Sequence, residues 1–384
     1  MQSRSVLFAL ILAACAEPDA MADAGAPVPG LDAAALQAFV EGRALFHRAF
    51  LPEHGLGPLF NQDRCSSCHD LPTIGGHGTE AVRKATRFEH GRCSLLEEDG
   101  GDMVQQQATP LLRATGFVVE SIPRAANGTT RIVPTSLYGA GLIEAIDSAA
   151  IVRNADPDDA DGDGISGRAS IIDRRLARFG RKASFVDVRS FVEDALANEM
   201  GLTTAARPHE LKPNGRKLPK GVDPAPDPEI DEGASDKLAM FVRLLAAPER
   251  ETPPTAAAAD SIERGARIFR RIGCAACHTP SFTTGESAIT ALAGRRVQLY
   301  SDLLLHDLGD EMATVCTRNT TPSEWRTAPL MGLRFRQELM HDGRAQTLPR
   351  AVDAHGGEAA QSRASYHRLS HEQQKLLLRF LRSL

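Results

Sequence analysis

Cys65-Ser66-Ser67-Cys68-His69 and Cys274-Ala275-Ala276-Cys277-His278 decide how this chain is read. Cys-x-x-Cys-His is the attachment signature of c-type haem. Each thiol can add to a vinyl group of the macrocycle, and the adjoining imidazole is then placed to bind the iron from one side. Zinc also accepts Cys and His, but here His sits directly beside the second Cys and not at finger spacing. A thioredoxin-like dithiol belongs in a βαβ pattern, which neither motif has around it. Two copies, each after a similar helical stretch, predict two covalent haems on Cys65, Cys68, Cys274 and Cys277. His69 and His278 are the proximal iron ligands.

The helical stretches before the motifs repeat each other. Glu41-Gly42 leads to Phe46 in the first half, and Glu263-Arg264-Gly265 leads to Phe269 in the second. The first helix starts after Asp32 as N-cap, with Leu36, Phe39, Val40 and Phe46 near one face. The second starts near Ser261, with Ile262, Ala266 and Phe269 on one face. A glycine inside a helix costs about 1 kcal/mol, so its use in both copies points to close contact with another helix. The closing helix suits that role. Ser370-His371-Glu372-Gln373 has capping-box form, and Leu376, Leu377, Phe380, Leu381 and Leu384 make an apolar stripe. Arg131-Ile132-Val133-Pro134 with Gly139, and Arg326-Thr327-Ala328-Pro329 with Gly332, repeat a second element.

The fold class that follows is mainly α: two cytochrome c-like domains, each with one covalently bound haem. The N-terminal domain spans 31–246 and carries a long loop-rich insertion over about 140–245, with a turn-rich surface stretch at 212–228. A Pro/Ala-rich linker covers 247–260, and the C-terminal domain spans 261–384.

Residues 1–15 read as a lipoprotein signal. Arg4 supplies charge, residues 6–14 form an apolar run too short to span a bilayer, and Leu12-Ala13-Ala14-Cys15 resembles a lipobox. Cys15 becomes the acylated first residue; the alternative is an ordinary secretory signal with an incidental Cys. Either signal exports the chain, which suits c-type haem. The expected location is the periplasmic side of a bacterial membrane, held only by the N-terminal lipid, with 16–30 as a flexible tether. The net charge of −5 argues against a nucleic-acid partner. Aromatic content is 5% with one Trp, so two macrocycles would supply apolar core that side chains do not. Of seven cysteines, Cys93 and Cys316 are left over. An oxidising compartment permits their pairing, but the sequence does not show them close.

Asp159, Asp161 and Asp163 before Gly164 match the opening of an EF-hand-type calcium loop. Ser170 stands at the twelfth position in place of the bidentate Glu, so a solvated acidic loop is the alternative.

Beyond these motifs the chain resembles the bacterial di-haem oxidoreductases, relatives of di-haem cytochrome c peroxidases. The resemblance rests on PTSLYGAGLIEAI (134–146), DGDGISGR (161–168), YSDLLLHDLG (300–309), EWRTAPLMGL (324–333), His341-Asp342-Gly343 and His355-Gly356-Gly357-Glu358-Ala359. It covers nearly all of the mature chain and is more specific for the family than for an activity. The label of thiol oxidoreductase, given to some members, does not suit a thioether-bonded Cys.

In such peroxidases a His-Asp-Gly turn precedes the distal ligand of the second haem by about four helical turns. At that distance stands His355, where Met is usual. The resemblance therefore implies a His278/His355 iron of lowered potential, with Met340 as the rival ligand. No residue stands out as distal ligand of the first haem. His77, in a Gly-rich turn, and His90 are weaker choices, and an open position is what peroxide needs. Glu144 lies where relatives place the acid–base carboxylate, and a haem-rim Glu is the alternative. Trp325 either packs on the second haem or lies between the two; relatives use a Trp relay from the first domain. His306 and Asp307 are expected near the second haem or the domain interface, and Arg326 and Arg344 at propionates.

The implied activity is peroxidase-like. Electrons from a small donor, a cytochrome c or a cupredoxin, enter at the C-terminal haem and pass to the N-terminal haem, where peroxide or another oxidant reacts. Relatives often form homodimers. The alternative is a plain electron-transfer cytochrome with both irons six-coordinate. A third reading, oxidation of a protein or metabolite, fits less well, because the relative that does so has Tyr where this chain has His355.

Overall fold

The computed structural model describes residues 24–384. The signal, Cys15 and most of the tether lie outside the described residues. The end of the tether is docked against the protein. Val28 is buried and its N–H donates to the Leu244 carbonyl, while Ala246 N–H donates to Ala26 O.

Seven helices frame the account: α1 Ala33–His47, α2 Ala140–Glu144, α3 Val188–Met200, α4 Glu232–Leu244, α5 Ala256–Arg271, α6 Leu348–Asp353 and α7 His371–Leu381. Asp32 caps α1 by accepting from Ala35 N–H, and Ser370 caps α7 in a full capping box. Helix α5 begins at Ala256, capped by Thr255, five residues before the sequence pattern suggests. Its first turn is a run of alanines, strong helix formers without apolar periodicity, so the linker shortens to 247–255.

Two helix crossings organise the molecule. Helix α1 crosses α4, and α5 crosses α7. Gly42 and Gly265 sit at the two crossings. A Cβ on Gly42 would collide with the Lys237 carbonyl and Phe241 Cβ, and one on Gly265 with the Leu376 carbonyl and Phe380 Cβ. The repeat seen in sequence is therefore a repeat of helix contact. The region read as an insertion contains α4, the partner of α1. Leu238, Phe241 and Val242, at helical spacing, are its core face. On α1, Phe39 and Phe46 are buried, but Leu36 and Val40 are exposed, since the crossing at Gly42 admits only a narrow seam.

One large apolar cluster surrounds the α1–α4 crossing and a second surrounds α5–α7. Short antiparallel ribbons and long loops fill the rest and supply much of the larger cluster, Leu176, Phe179, Leu299 and Leu304 among them, so the chain is less helical than the mainly α expectation. Strand β1 Val82–Glu89 pairs with β2 Arg92–Ser94, β3 Met103–Val104 and β4 Gly128–Ile132. Strand β5 Leu305–Asp307 pairs with β6 Glu324–Arg326, setting His306 opposite Trp325. A Cys93–Cys316 disulfide, Cα–Cα 5.9 Å, joins β2 to the second half of the chain. Among the described residues no helix is long and apolar enough to cross a membrane.

Candidate haem sites

The two Cys-x-x-Cys-His motifs form one helical turn each, and each His ring is held the same way. His69 Nδ1 lies 3.0 Å from Gly76 O, and His278 Nδ1 lies 2.9 Å from Tyr300 O. Phe46 packs 6.2 Å from the His69 ring, and Phe269 packs 6.3 Å from the His278 ring. A backbone carbonyl on Nδ1 fixes the tautomer with Nε2 unprotonated, the usual arrangement of a metal-bound imidazole. Burial lowers the pKa of both rings, His278 to about 4, so both are neutral near pH 7, the form in which imidazole binds a metal. The thiols of Cys65 and Cys274 are each pushed up to about 12 by burial. Neutral thiols of this kind are poor redox dithiols.

His355 caps the account of the second site. It follows α6, its Nδ1 lies 2.6 Å from Ala351 O, and its ring centre lies 6.4 Å from that of His278. A metal–imidazole bond of about 2 Å on each side, plus about 1 Å from nitrogen to ring centre, gives about 6 Å between ring centres. The pair is thus spaced to share one iron. Both rings line a slot of about 220 Å³ whose wall also includes Met340.

The first motif opens on a larger cavity, about 680 Å³. His69 is the only His among its lining residues, and Met103 and Met200 the only methionines. His77 is buried, with its Nε2 unpartnered, but it is not in this wall. Burial lowers its pKa to about 4.

Glu144 is a correction. It does not line the cavity. Its Oε2 accepts from Arg243 Nε at 2.6 Å and its Oε1 from Val188 N–H at 2.8 Å, so it ties α2 to α4 and to the first turn of α3. Five carboxylates do line the cavity, those of Glu80, Asp102, Asp173, Asp194 and Glu199, and Glu199, in the last turn of α3, is the one whose pKa burial brings to neutrality. It is held by Asn61 Nδ2 at 3.2 Å, and burial raises its pKa to about 7. A carboxyl poised near neutrality is suited to accept and return a proton.

Trp325 and Arg181 line both cavities. Trp325 is buried, donates from Nε1 to Met312 O at 2.9 Å, stacks on His341 at 3.7 Å, and carries Lys182 Nζ 3.9 Å above its ring. The wall is rich in unpaired cations. Arg181, Arg326, Arg336 and Lys182 form no ion pair among the described residues, and Arg181 Nε is buried without a partner. Burial pushes Lys182 down to about 7 and Arg326 and Arg336 to about 10. Buried cations without counter-charge call for an anion. Haem propionates would supply that charge, so the residues present fit two haems. Arg344 is different: it pairs with Asp342 at 2.7 Å and lines neither cavity. His306 lines the second cavity between Asp302 at 2.8 Å and Glu358 at 2.7 Å. Although burial opposes its charge, these carboxylates help raise its pKa to about 12.

In the acidic loop, the carboxylates that converge are Asp156, Asp159 and Asp161. Asp163 is not among them, and its Oδ1 accepts from Ile165 N–H at 2.8 Å. The loop closes through Asp156 N–H to Ser166 O, which brings Asp156 in where Asp163 was expected. Ser170 lies outside it, buried and bonded to Ala183 O.

Paired helix crossings, each beside a Cys-x-x-Cys-His turn, define a protein of the di-haem oxidoreductase class. The chain belongs to the family described as "Di-haem oxidoreductase, putative peroxidase", whose profile matches residues 127–384. Membership implies two haems. No curated protein matches in sequence. Among solved structures, the chain is similar to a hydrazine synthase of Kuenenia stuttgartiensis (13% identity, 100% of each chain, TM-score 0.41). It is also similar to a MauG-like protein associated with microbial copper homeostasis (14%, 91% of this chain and 88% of that one, TM-score 0.42). The diheme peroxidase BthA of Burkholderia thailandensis is a third (14%, 95% and 88%, TM-score 0.41). At these values the likenesses bear on neither fold nor chemistry here.

Proposed function

We propose that this oxidoreductase is a c-type di-haem peroxidase, with both haems bound covalently through the four motif cysteines. Peroxide reacts at the first cavity, and electrons enter at the second. The observation that carries this reading is the asymmetry of the two sites: His278 faces His355 at 6.4 Å, whereas His69 is the only His lining its cavity. A haem held in the first cavity by Cys65, Cys68 and His69 would supply the iron chemistry that peroxide reduction needs. Glu199 takes the proton of the incoming peroxide and returns it to the leaving oxygen. Overall, one peroxide, two electrons and two protons give two waters. Trp325, part of both cavity walls, is the side chain through which the two sites are joined, a role that favours the between-haem reading of this residue.

The donor is a small exported redox protein, a cytochrome c or a cupredoxin. The lipid on Cys15 holds the enzyme on the periplasmic side of its membrane. Calcium binds the acidic loop through Asp156, Asp159 and Asp161. The test is peroxide-dependent oxidation of a reduced small cytochrome c by the haem-loaded protein. Turnover supports the proposal. No turnover with fully loaded protein, before or after one-electron reduction, leaves the electron-transfer cytochrome.

A further inference from the structure

The loop between α3 and α4 holds a second acidic group, remote in sequence from the acidic loop above. One carboxylate oxygen from each of Glu210, Asp223, Asp227 and Glu229 lies within 4.8 Å of all the others. No Lys or Arg among the described residues pairs with any of the four. Part of the cluster is anchored: Thr203 N–H and Oγ1 donate to Glu229 Oε2 at 2.7 and 2.6 Å, and Ala225 N–H donates to Asp223 Oδ1 at 3.2 Å. Thr203 Oγ1 also reaches Asp227 Oδ1 at 3.2 Å. Both oxygens of Glu210 and Oε1 of Glu229 are shut off from solvent without a hydrogen bond. Burial, with the neighbouring carboxylates, raises Glu210 to about 9, and burial raises Glu229 to about 7.

Buried carboxylate oxygens without donors are costly unless a cation meets them. Surface acidic residues usually turn outward into water. Here Glu210 turns inward, onto three other carboxylates. We infer that Glu210, Asp223, Asp227 and Glu229 bind one hard divalent cation, calcium. An all-oxygen donor set selects calcium, magnesium or manganese over zinc and copper. Calcium accepts six to eight oxygens in flexible geometry, whereas magnesium demands a near-ideal octahedron and keeps several waters, so four carboxylates from one irregular loop suit calcium. The ion would fasten the 203–229 loop at the start of α4, whose cap is Asp231.

The test uses the haem-loaded, chelator-treated chain, titrated with calcium chloride by calorimetry and followed by thermal unfolding. In the Asp159→Asn/Asp161→Asn protein one binding event persists. In Glu210→Gln/Glu229→Gln that event weakens by at least about tenfold, and calcium no longer raises the unfolding midpoint. In chelator the Gln variant unfolds no lower than the wild type, since it lacks the unpaired charges. If that variant does not fold, Asp223→Asn, at a partly exposed position, carries the same test. A wild type that takes up no calcium, or full affinity retained in the cluster variants, overturns the inference. So does a signal lost only in Asp159→Asn/Asp161→Asn.

Discussion

Glu199 and Glu144 are both half of a possible proton relay by residue type, and their surroundings separate them. Glu144 is held by Arg243 and the start of α3, away from the first cavity. Glu199 faces that cavity, with its pKa raised to about 7 by burial. The deprotonated form accepts peroxide's proton, so turnover rises with pH through about 7 and levels off above. Glu199→Gln removes that rise and lowers turnover by about 10²–10⁴. Glu144→Gln leaves turnover within a few-fold but lowers thermal stability, because Arg243 loses its partner. Steady-state rates between pH 5 and 9 separate the two. Stability moves the other way: the fold binds the Glu199 proton more tightly than the unfolded chain. Its contribution therefore falls as pH rises from the ordinary carboxyl range to about 7. The motif His and Cys residues were readable because their chemistry is written in adjacent positions. Glu199, Arg181 and Arg336 were not, since nothing local marks them and only the folded chain brings them to the cavities.

At the scale of the element, Gly42 and Gly265 make the same statement twice. Each lets two helices approach to backbone contact, α1 on α4 and α5 on α7. Ala at either position forces the pair apart, and overpacking of this kind costs about 1–3 kcal/mol. Chemical denaturation of Gly42→Ala and Gly265→Ala should show losses of that size, whereas Gly91→Ala, where a Cβ meets nothing within 4 Å, should lose less despite its φ of +73°. The Gly-x-x-x-Phe repeat made both crossings legible, and the capping box and apolar stripe of α7 identified one partner. The partner of α1 was hidden, because the turn-rich stretch before α4 made the whole region read as insertion. The start of α5 was hidden for a different reason: alanines favour helix without marking a face.

Across the whole molecule, one architecture is used twice with different outcomes. Both halves hold a His beside a helix crossing, with a Phe ring about equally far from each. Only the second adds an opposing imidazole, His355. Between them stand Trp325 and a group of buried cations, and the Cys93–Cys316 bond ties a second-half loop, which lines the first cavity, to the first-half sheet. That pairing was not readable from two cysteines 223 residues apart, because only the fold sets their distance. The central claim is that the first haem is open and the second closed. Low-temperature EPR of the haem-loaded protein, at rest and after one-electron reduction, tests it most directly. The account predicts a high-spin ferric signal from the first haem beside a low-spin signal from the His278/His355 haem. Two low-spin signals in both states would contradict it, since peroxide would then have no iron to bind.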